Sequence, residues 1–320
     1  MSDTGRQPNL ISDAAIPGIK QRVTLNTPLQ AAIGLFEQHM RDEGFSIHTV
    51  KAFASDLRLL GQYVGIGQPV GDIGTKDLND FLGWLTNERG VPCSPKSYSR
   101  RVTTLKVFFG WLLKTDTLLI DPSNAVIQRS VTSPLPKVPS LDDIENALAV
   151  TQAWATEGNK GKVDPRPHLL LTLLLKTGIK KGEAMAIVPN HIVRDDAEEP
   201  YLFIRYKNPR MRYKERKVEL DPIWLETLDN YLAQYAPTDT LFTCTARNLE
   251  YVLRDVGEAG ELDKGLLSFE NLRWRSALTD YVLEVDQDTI RQRLGLSKVT
   301  WRDTKNKLGR LTENADKADA

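Results

Sequence analysis

The segment from Val126 to Ser140 reads VIQRSVTSPLPKVPS and carries three prolines with no helical period. Proline fixes φ, removes a backbone donor and pushes the residue before it out of the helical region. Such a stretch cannot lie inside a helix or a central strand, so residues 126–139 read as an inter-domain linker. A chain of 320 residues has room for about two domains of the usual ~100–200 residues. Hydrophobic residues at 41% and charged residues at 26% are enough to give each a core.

The halves on either side differ in character. Residues 1–25 are polar and broken by Pro8 and Pro17, as expected of a tail. Over residues 26–125 every periodic signal is helical. Thr27-Pro28 suits an N-cap and first turn, followed by Leu29, Ile33, Phe36 and Met40 at helical spacing, with Gly44 closing the helix. Ser46 opens a second helix with Val50, Phe53, Leu57 and Leu60 on one face, and a third spans Thr75 to Asn87. A fourth runs from Pro95 to Lys114, with Val102, Leu105, Phe108, Phe109 and Leu112 inward. The first domain is therefore predicted to be all-α.

Residues 140–320 are predicted to be mostly helical with one small antiparallel sheet. Ser140 caps a helix with Asp142 and Asp143 in its first turn, and Asp164-Pro165 starts the next, through Lys176. Tyr201–Tyr206 and Lys217–Leu220 are the strand candidates, joined by a basic turn. Helices follow at about 222–235, 246–257, 268–283 and 287–294.

Several classes of protein are disfavoured. No run approaches the ~18 apolar residues of a membrane helix, and Met1–Lys20 has no signal-peptide core. Cys93 and Cys244 are the two cysteines, far apart in sequence and suited to a reduced cytoplasm. His39, His48, His168 and His191 match no ligand spacing, so neither metal nor cofactor is expected. Net charge is zero, which leaves the distribution of charge to speak for or against nucleic acid.

Four stretches in the first half and four in the second resemble the tyrosine recombinase (phage integrase) family. Ser46 to Leu57 is similar to the family's S-x-x-T-x-x-x-Y-x-x-D-L helix, and Ser99 to Leu112 (SRRVTTLKVFFGWL) to its R-x-L-S-A-L-R-x-F-F-x-W-L helix. Asp121-Pro122 and Leu135-Pro136-Lys137 sit where the family has its linker signatures. Thr177 to Glu183 (TGIKKGE) resembles T-G-[LM]-R-[IV]-S-E-L. The turn at Lys207 resembles the family's basic hairpin, Leu267 to Arg273 (LSFENLR) resembles L-S-P-H-x-L-R, and Ile290 to Ser297 (IRQRLGLS) resembles V-x-x-L-L-G-H-S. The resemblance implies a SAM-like core-binding domain followed by an α+β recombinase-type domain, wrapped as a clamp on double-stranded DNA.

In that family a tyrosine attacks a DNA phosphodiester. Two arginines clamp the phosphate, a lysine protonates the leaving oxygen, and two further positions add hydrogen bonds. Carried over by resemblance, the first arginine falls on Lys180, which keeps the charge but loses the bidentate fork. The general-acid lysine falls on Lys207 and the second arginine on Arg273, both matches. The first histidine becomes Glu270, a charge reversal, and the second becomes Leu296, which cannot hydrogen-bond. The nucleophile position falls on Lys305. Tyr281 is the last tyrosine of the sequence, and Thr300 and Thr304 lack an adjacent base.

The turn between the strand candidates carries Arg205, Lys207, Arg210, Arg212, Lys214, Arg216 and Lys217 against Glu215, with Tyr206 and Tyr213 interleaved. Charge alone fits a solvated turn or a phosphate-binding edge; the resemblance favours DNA. Lys96, Arg100, Arg101 and Lys106 lie at the start of the fourth helix, where the family contacts DNA. Glu183 is expected to brace a helix. Trp84, Trp111 and Trp274 are expected to pack, and Trp301 either packs or replaces a missing hydrogen-bond donor.

The leading functional expectation is a DNA-binding protein on a recombinase scaffold that does not cut DNA alone. It would be an accessory, architectural or regulatory factor located with the nucleoid in the cytoplasm. A mobile-element recombinase subunit acting beside active partners, or self-associating on DNA, is the alternative, and a protein-interaction module is the third.

Overall fold

The computed structural model describes residues 22–91, 93–126, 134–194 and 199–318. Most of the expected tail (1–21) and of the expected linker (127–133) lies outside them. The chain forms two compact units that divide between Ser133 and Pro134.

Unit 1 consists of α1 (Leu29–Asp42), α2 (Ile47–Val64), α3 (Thr75–Asn87) and α4 (Pro95–Lys114). The apolar stripes read from the sequence meet in one core containing Phe36, Phe81, Phe108 and Phe109, with Trp84 and Trp111 packed against it. Phe36 and Phe108 meet edge-on with centroids 5.2 Å apart, the geometry that ring quadrupoles favour. The Ser46 hydroxyl accepts from the Thr49 amide, and that of Ser94 from the Ser97 amide, capping α2 and α4. Thr27 does not cap α1, contrary to expectation. Its hydroxyl accepts from the Thr24 amide at 2.8 Å, while carbonyls of Gln68 and Ile66 take the free amides of Leu29 and Gln30. With those donors already satisfied, α1 has no need of a side-chain cap.

Unit 2 begins with α5 (Leu141–Thr156), whose Ser140 and Asp143 form a reciprocal capping box, and α6 (Arg166–Thr177). After a single turn, α7 (Lys181–Ala184), come β1 (Ile192–Val193), β2 (Tyr201–Ile204) and β3 (Arg216–Glu219). They form an antiparallel sheet in the order β1-β2-β3, with Tyr201 opposite Glu219 and Ile204 opposite Arg216. The strands of the hairpin are joined by a 3-10 helix over Pro209–Lys214. Helices α8 (Pro222–Tyr235), α9 (Ala246–Ala259), α10 (Phe269–Val282) and α11 (Gln287–Arg293) follow.

Unit 2 ends in α12 (Lys298–Ala318), a helix beyond those expected from the sequence. This helix is strongly polar and its apolar stripe is narrow. Trp301 and Leu308, one heptad apart, are buried in one cluster with Ala277, Ile290 and Leu294. Among the described residues no helix is long and apolar enough to cross a membrane.

Candidate nucleic-acid interface

The C-terminus of α6 sets the site. Gly178 adopts φ +58°, and a Cβ there would lie 2.8 Å from Leu294 Cδ2 and 3.1 Å from Ser276 Oγ. Glycine therefore allows α6 to end in the left-handed conformation while α10 and α11 close over it. The carbonyl freed by this turn, Gly178 O, accepts from Arg273 Nη1, and Leu294 O accepts from Nη2. Two carbonyls from different elements thus orient the guanidinium that α10 supplies. Burial lowers its pKa to about 10, so Arg273 remains cationic at neutral pH.

Lys180 caps α7 beside it, with Nζ 3.5 Å from Gly295 O. Burial lowers its pKa; Glu183 works in the opposite direction, and Arg273, Arg216 and Lys214 lower it further. The fold therefore brings the Lys180 and Arg273 positions close enough to act on each other electrostatically.

Beneath them lies a buried ion pair. Arg216 of β3 donates from Nη1 and Nη2 to the two oxygens of Glu183, each at 3.0 Å, with the side chains only 10% and 3% exposed. Arg216 Nε donates to Arg293 O at 2.7 Å, the Lys180 amide to Glu183 Oε2 at 2.8 Å, and the Tyr206 hydroxyl to Glu183 Oε1. Burial alone would raise the Glu183 pKa, but these donors, Arg216 foremost, hold it at about 2. Burial and the bond to Glu183 push Tyr206 up to about 12. A second arginine, Arg293, pairs with Asp280 and donates to Ser276 Oγ at 2.9 Å and to Lys176 O.

This corrects one expectation. Arg216 was counted with the exposed basic turn, but it points inward and its charge is spent on Glu183. Strand alternation carries the signal: Arg216, Val218 and Leu220 share the inner side, while Lys217 and Glu219 are exposed. Starting the strand at Lys217 concealed it. Glu183 does brace the fold, and at more points than a helix cap requires.

The other expected positions are more scattered. Lys207, Arg210 and Arg212 are exposed on the turn and Lys214 is half-buried. Glu270 is exposed in the first turn of α10, where an acid suits the helix dipole, and it forms no hydrogen bond or ion pair among the described residues. Leu296 is partly buried against the Trp301 cluster, so Trp301 packs there. Lys305 is half-exposed on α12. The Tyr281 hydroxyl lies beside α12, 3.6 Å from where a Cβ on Gly309 would stand.

In unit 1, Lys96 and Lys106 are exposed along α4. Arg100, which remains exposed, and Arg101 both turn towards one carboxylate. Arg100 Nε and Nη2 donate to the two oxygens of buried Asp56 at 2.9 and 2.7 Å. Arg101, 12% exposed, has Nε 3.5 Å from Asp56 Oδ1 and Nη1 2.7 Å from Cys93 Sγ. A carboxylate carried into the interior by α2 requires cationic partners, and α4 supplies them. Among the described residues no group of His, Cys, Asp and Glu is placed to hold a metal ion.

A helical unit followed by an α+β unit with a basic hairpin is an integrase-type architecture. Residues 34–118 match the family model described as "Phage integrase, N-terminal SAM-like domain". The chain is 26% identical over 196 residues to tyrosine recombinase XerD of Listeria innocua, covering 61% of this chain and 62% of that protein. It is 28% identical over 199 residues to XerD of Agrobacterium fabrum, covering 62% and 57%. The matched stretch thus falls short of two thirds of those relatives' length. The solved structures of a lambda integrase dimer bound to a COC' core site (TM-score 0.67, covering 89% of this chain and 79% of that one) and of XerH site-specific recombinase bound to difH substrate (TM-score 0.69, covering 92% and 99%) share the fold at 16% identity. Residues 34–118 thus match a phage-integrase SAM-like domain, and the chain is similar to tyrosine recombinases in sequence and in fold.

Proposed function

We propose that this protein binds double-stranded DNA on its recombinase scaffold, does not cleave it alone, and serves recombination or integration as an accessory, architectural or regulatory factor. One observation carries this reading: by resemblance the family's nucleophile position falls on residue 305, which is a lysine on α12. An ammonium group cannot form the phosphotyrosine, and losing a nucleophile removes most of a covalent enzyme's rate whatever else remains. Tyr281 gives no substitute, since its hydroxyl lies beside Gly309. The Thr304 hydroxyl is engaged, donating to Thr300 O at 3.0 Å. The neighbouring cations Lys180 and Arg273 suit a backbone phosphate, and the similar lambda integrase and XerH structures contain their DNA sites.

A second reading, a subunit that binds beside active partners, is favoured by the carbonyls that still orient Arg273. The lambda integrase structure as a tetramer on a Holliday junction offers the pattern for such an assembly. Nicked suicide substrates test the main reading. The purified protein should shift the DNA in a native gel and leave no denaturant-resistant adduct. Lys305→Tyr alone should remain inert, because Lys180 and Glu270 still depart from the clamp. A covalent band from either protein, abolished by one hydroxyl substitution, overturns the proposal.

A further inference from the structure

The two tyrosines of the basic turn have opposite fates. Tyr206 is turned inward onto Glu183. Tyr213 is 77% exposed on the 3-10 helix between β2 and β3. The loop presenting it is firmly built. The Asn208 side chain accepts from the Arg210 amide at 3.0 Å, the Glu215 carboxylate accepts from the Tyr206 amide at 2.9 Å, and Arg216 anchors the outgoing strand to Glu183. A rigid base and a bare aromatic tip cost little conformational entropy on binding. Lys214 Nζ stands 5.3 Å from the centre of the Tyr213 ring, and Arg212 is exposed alongside.

An open aromatic ring among phosphate-seeking cations is the combination that grips unpaired nucleotides: the cations follow the backbone and the ring takes a base face. We propose that Tyr213 stacks on an unpaired or unstacked base, so that this protein prefers DNA with a disrupted base step over continuous duplex. The inference rests on the DNA-binding reading above and deepens it by specifying the state of the DNA recognised. A ring stacks on any base, so the preference is for local structure rather than sequence.

The test compares two fluorescent probes on the full chain: a continuous duplex, and the same duplex with one unpaired 2-aminopurine. The wild-type protein should bind the bulged probe about tenfold more tightly and quench its 2-aminopurine emission. Tyr213→Ala should equalise the two affinities and abolish the quenching, while changing continuous-duplex affinity by no more than about twofold, as befits an exposed side chain. Tyr213→Phe, which keeps the ring, should behave as wild type. Circular dichroism checks that each variant is folded. Equal binding of both probes by the wild type, or a preference that survives in Tyr213→Ala, overturns the inference and leaves the DNA-binding reading intact. Absence of binding to either probe overturns both.

Discussion

Glu183 is the residue on which most of the candidate site depends. Its carboxylate receives two guanidinium nitrogens, a backbone amide and a phenol, so removing it would leave Arg216 buried without a counter-charge. Breaking one side of a buried pair typically costs about 3–5 kcal/mol. Glu183→Ala should therefore lower the unfolding free energy of unit 2 by that amount in urea titration, and Arg216→Ala by a similar amount. The same group predicts a pH dependence. Its folded pKa of about 2 lies below the ordinary 4.5, so the unfolded state binds the proton more readily. The stabilisation is then complete above about pH 4.5 and is lost as pH falls towards 2. Glu183→Gln should flatten the stability profile in that window, and an unchanged acid limb would show that other carboxylates dominate. The sequence reveals Glu183 as a brace but not its partner, because Arg216 is thirty-three positions away and amid basic residues that face water. An arginine in a run of cations looks like surface until strand register turns it inward. The partner of Arg100 and Arg101 is hidden for the same reason, since only tertiary packing brings Asp56 of α2 against α4.

At the level of elements, what could be read depended on whether an element carries its own period and cap. Helices α3, α4 and α8 fall within the predicted limits, because wide apolar stripes and N-terminal signals agree. Helix α12 did not declare itself, since a mostly polar helix held by Trp301 and Leu308 shows no broad hydrophobic face; its stability comes from docking, as for most protein helices. Thr177-Gly178 stands out in the sequence only as part of the family-like motif, and its role in ending α6 emerges when α10 and α11 close over it. Gly178→Ala should cost about 2–4 kcal/mol, combining left-handed strain with overpacking against Leu294 and Ser276. It should also weaken DNA binding, because Gly178 O orients Arg273. Gly182 supplies the contrast: a Cβ there meets nothing within 4 Å, so Gly182→Ala should be neutral or stabilising by up to about 1 kcal/mol. Calorimetry of the pair would decide. If both variants melt like wild type, the close approach at Gly178 is not a constraint.

For the whole molecule, a net charge of zero means that any affinity for DNA must come from how the cations are sorted. Carboxylates inside the fold pair with some of them: buried Asp56 engages Arg100 and Arg101, buried Glu183 engages Arg216, and partly buried Asp280 engages Arg293. Among the expected DNA contacts, Lys96, Arg100 and Lys106 on unit 1 and Lys207, Arg210 and Arg212 on the turn of unit 2 are exposed, and Lys214 is half-buried. Each phosphate neutralised contributes about −0.9 to the slope of log affinity against log salt concentration. The triple variant Arg210→Ala, Arg212→Ala, Lys214→Ala should flatten that slope by roughly one to three units, and Lys96→Ala with Lys106→Ala by roughly one to two. If both units hold the same duplex, the five-site variant should lose the sum of the two effects, since distant sites combine additively. Arg273→Ala should weaken binding to every sequence alike, as a backbone contact does. Arg216→Ala should instead act mainly through stability, because its charge is already paired. Titrations of fluorescent duplex at several salt concentrations separate these cases. An unchanged slope in the triple variant would make the turn a solvated surface and promote protein interaction above DNA binding. An unchanged slope in the Lys96 and Lys106 variant alone would confine the DNA contact to unit 2.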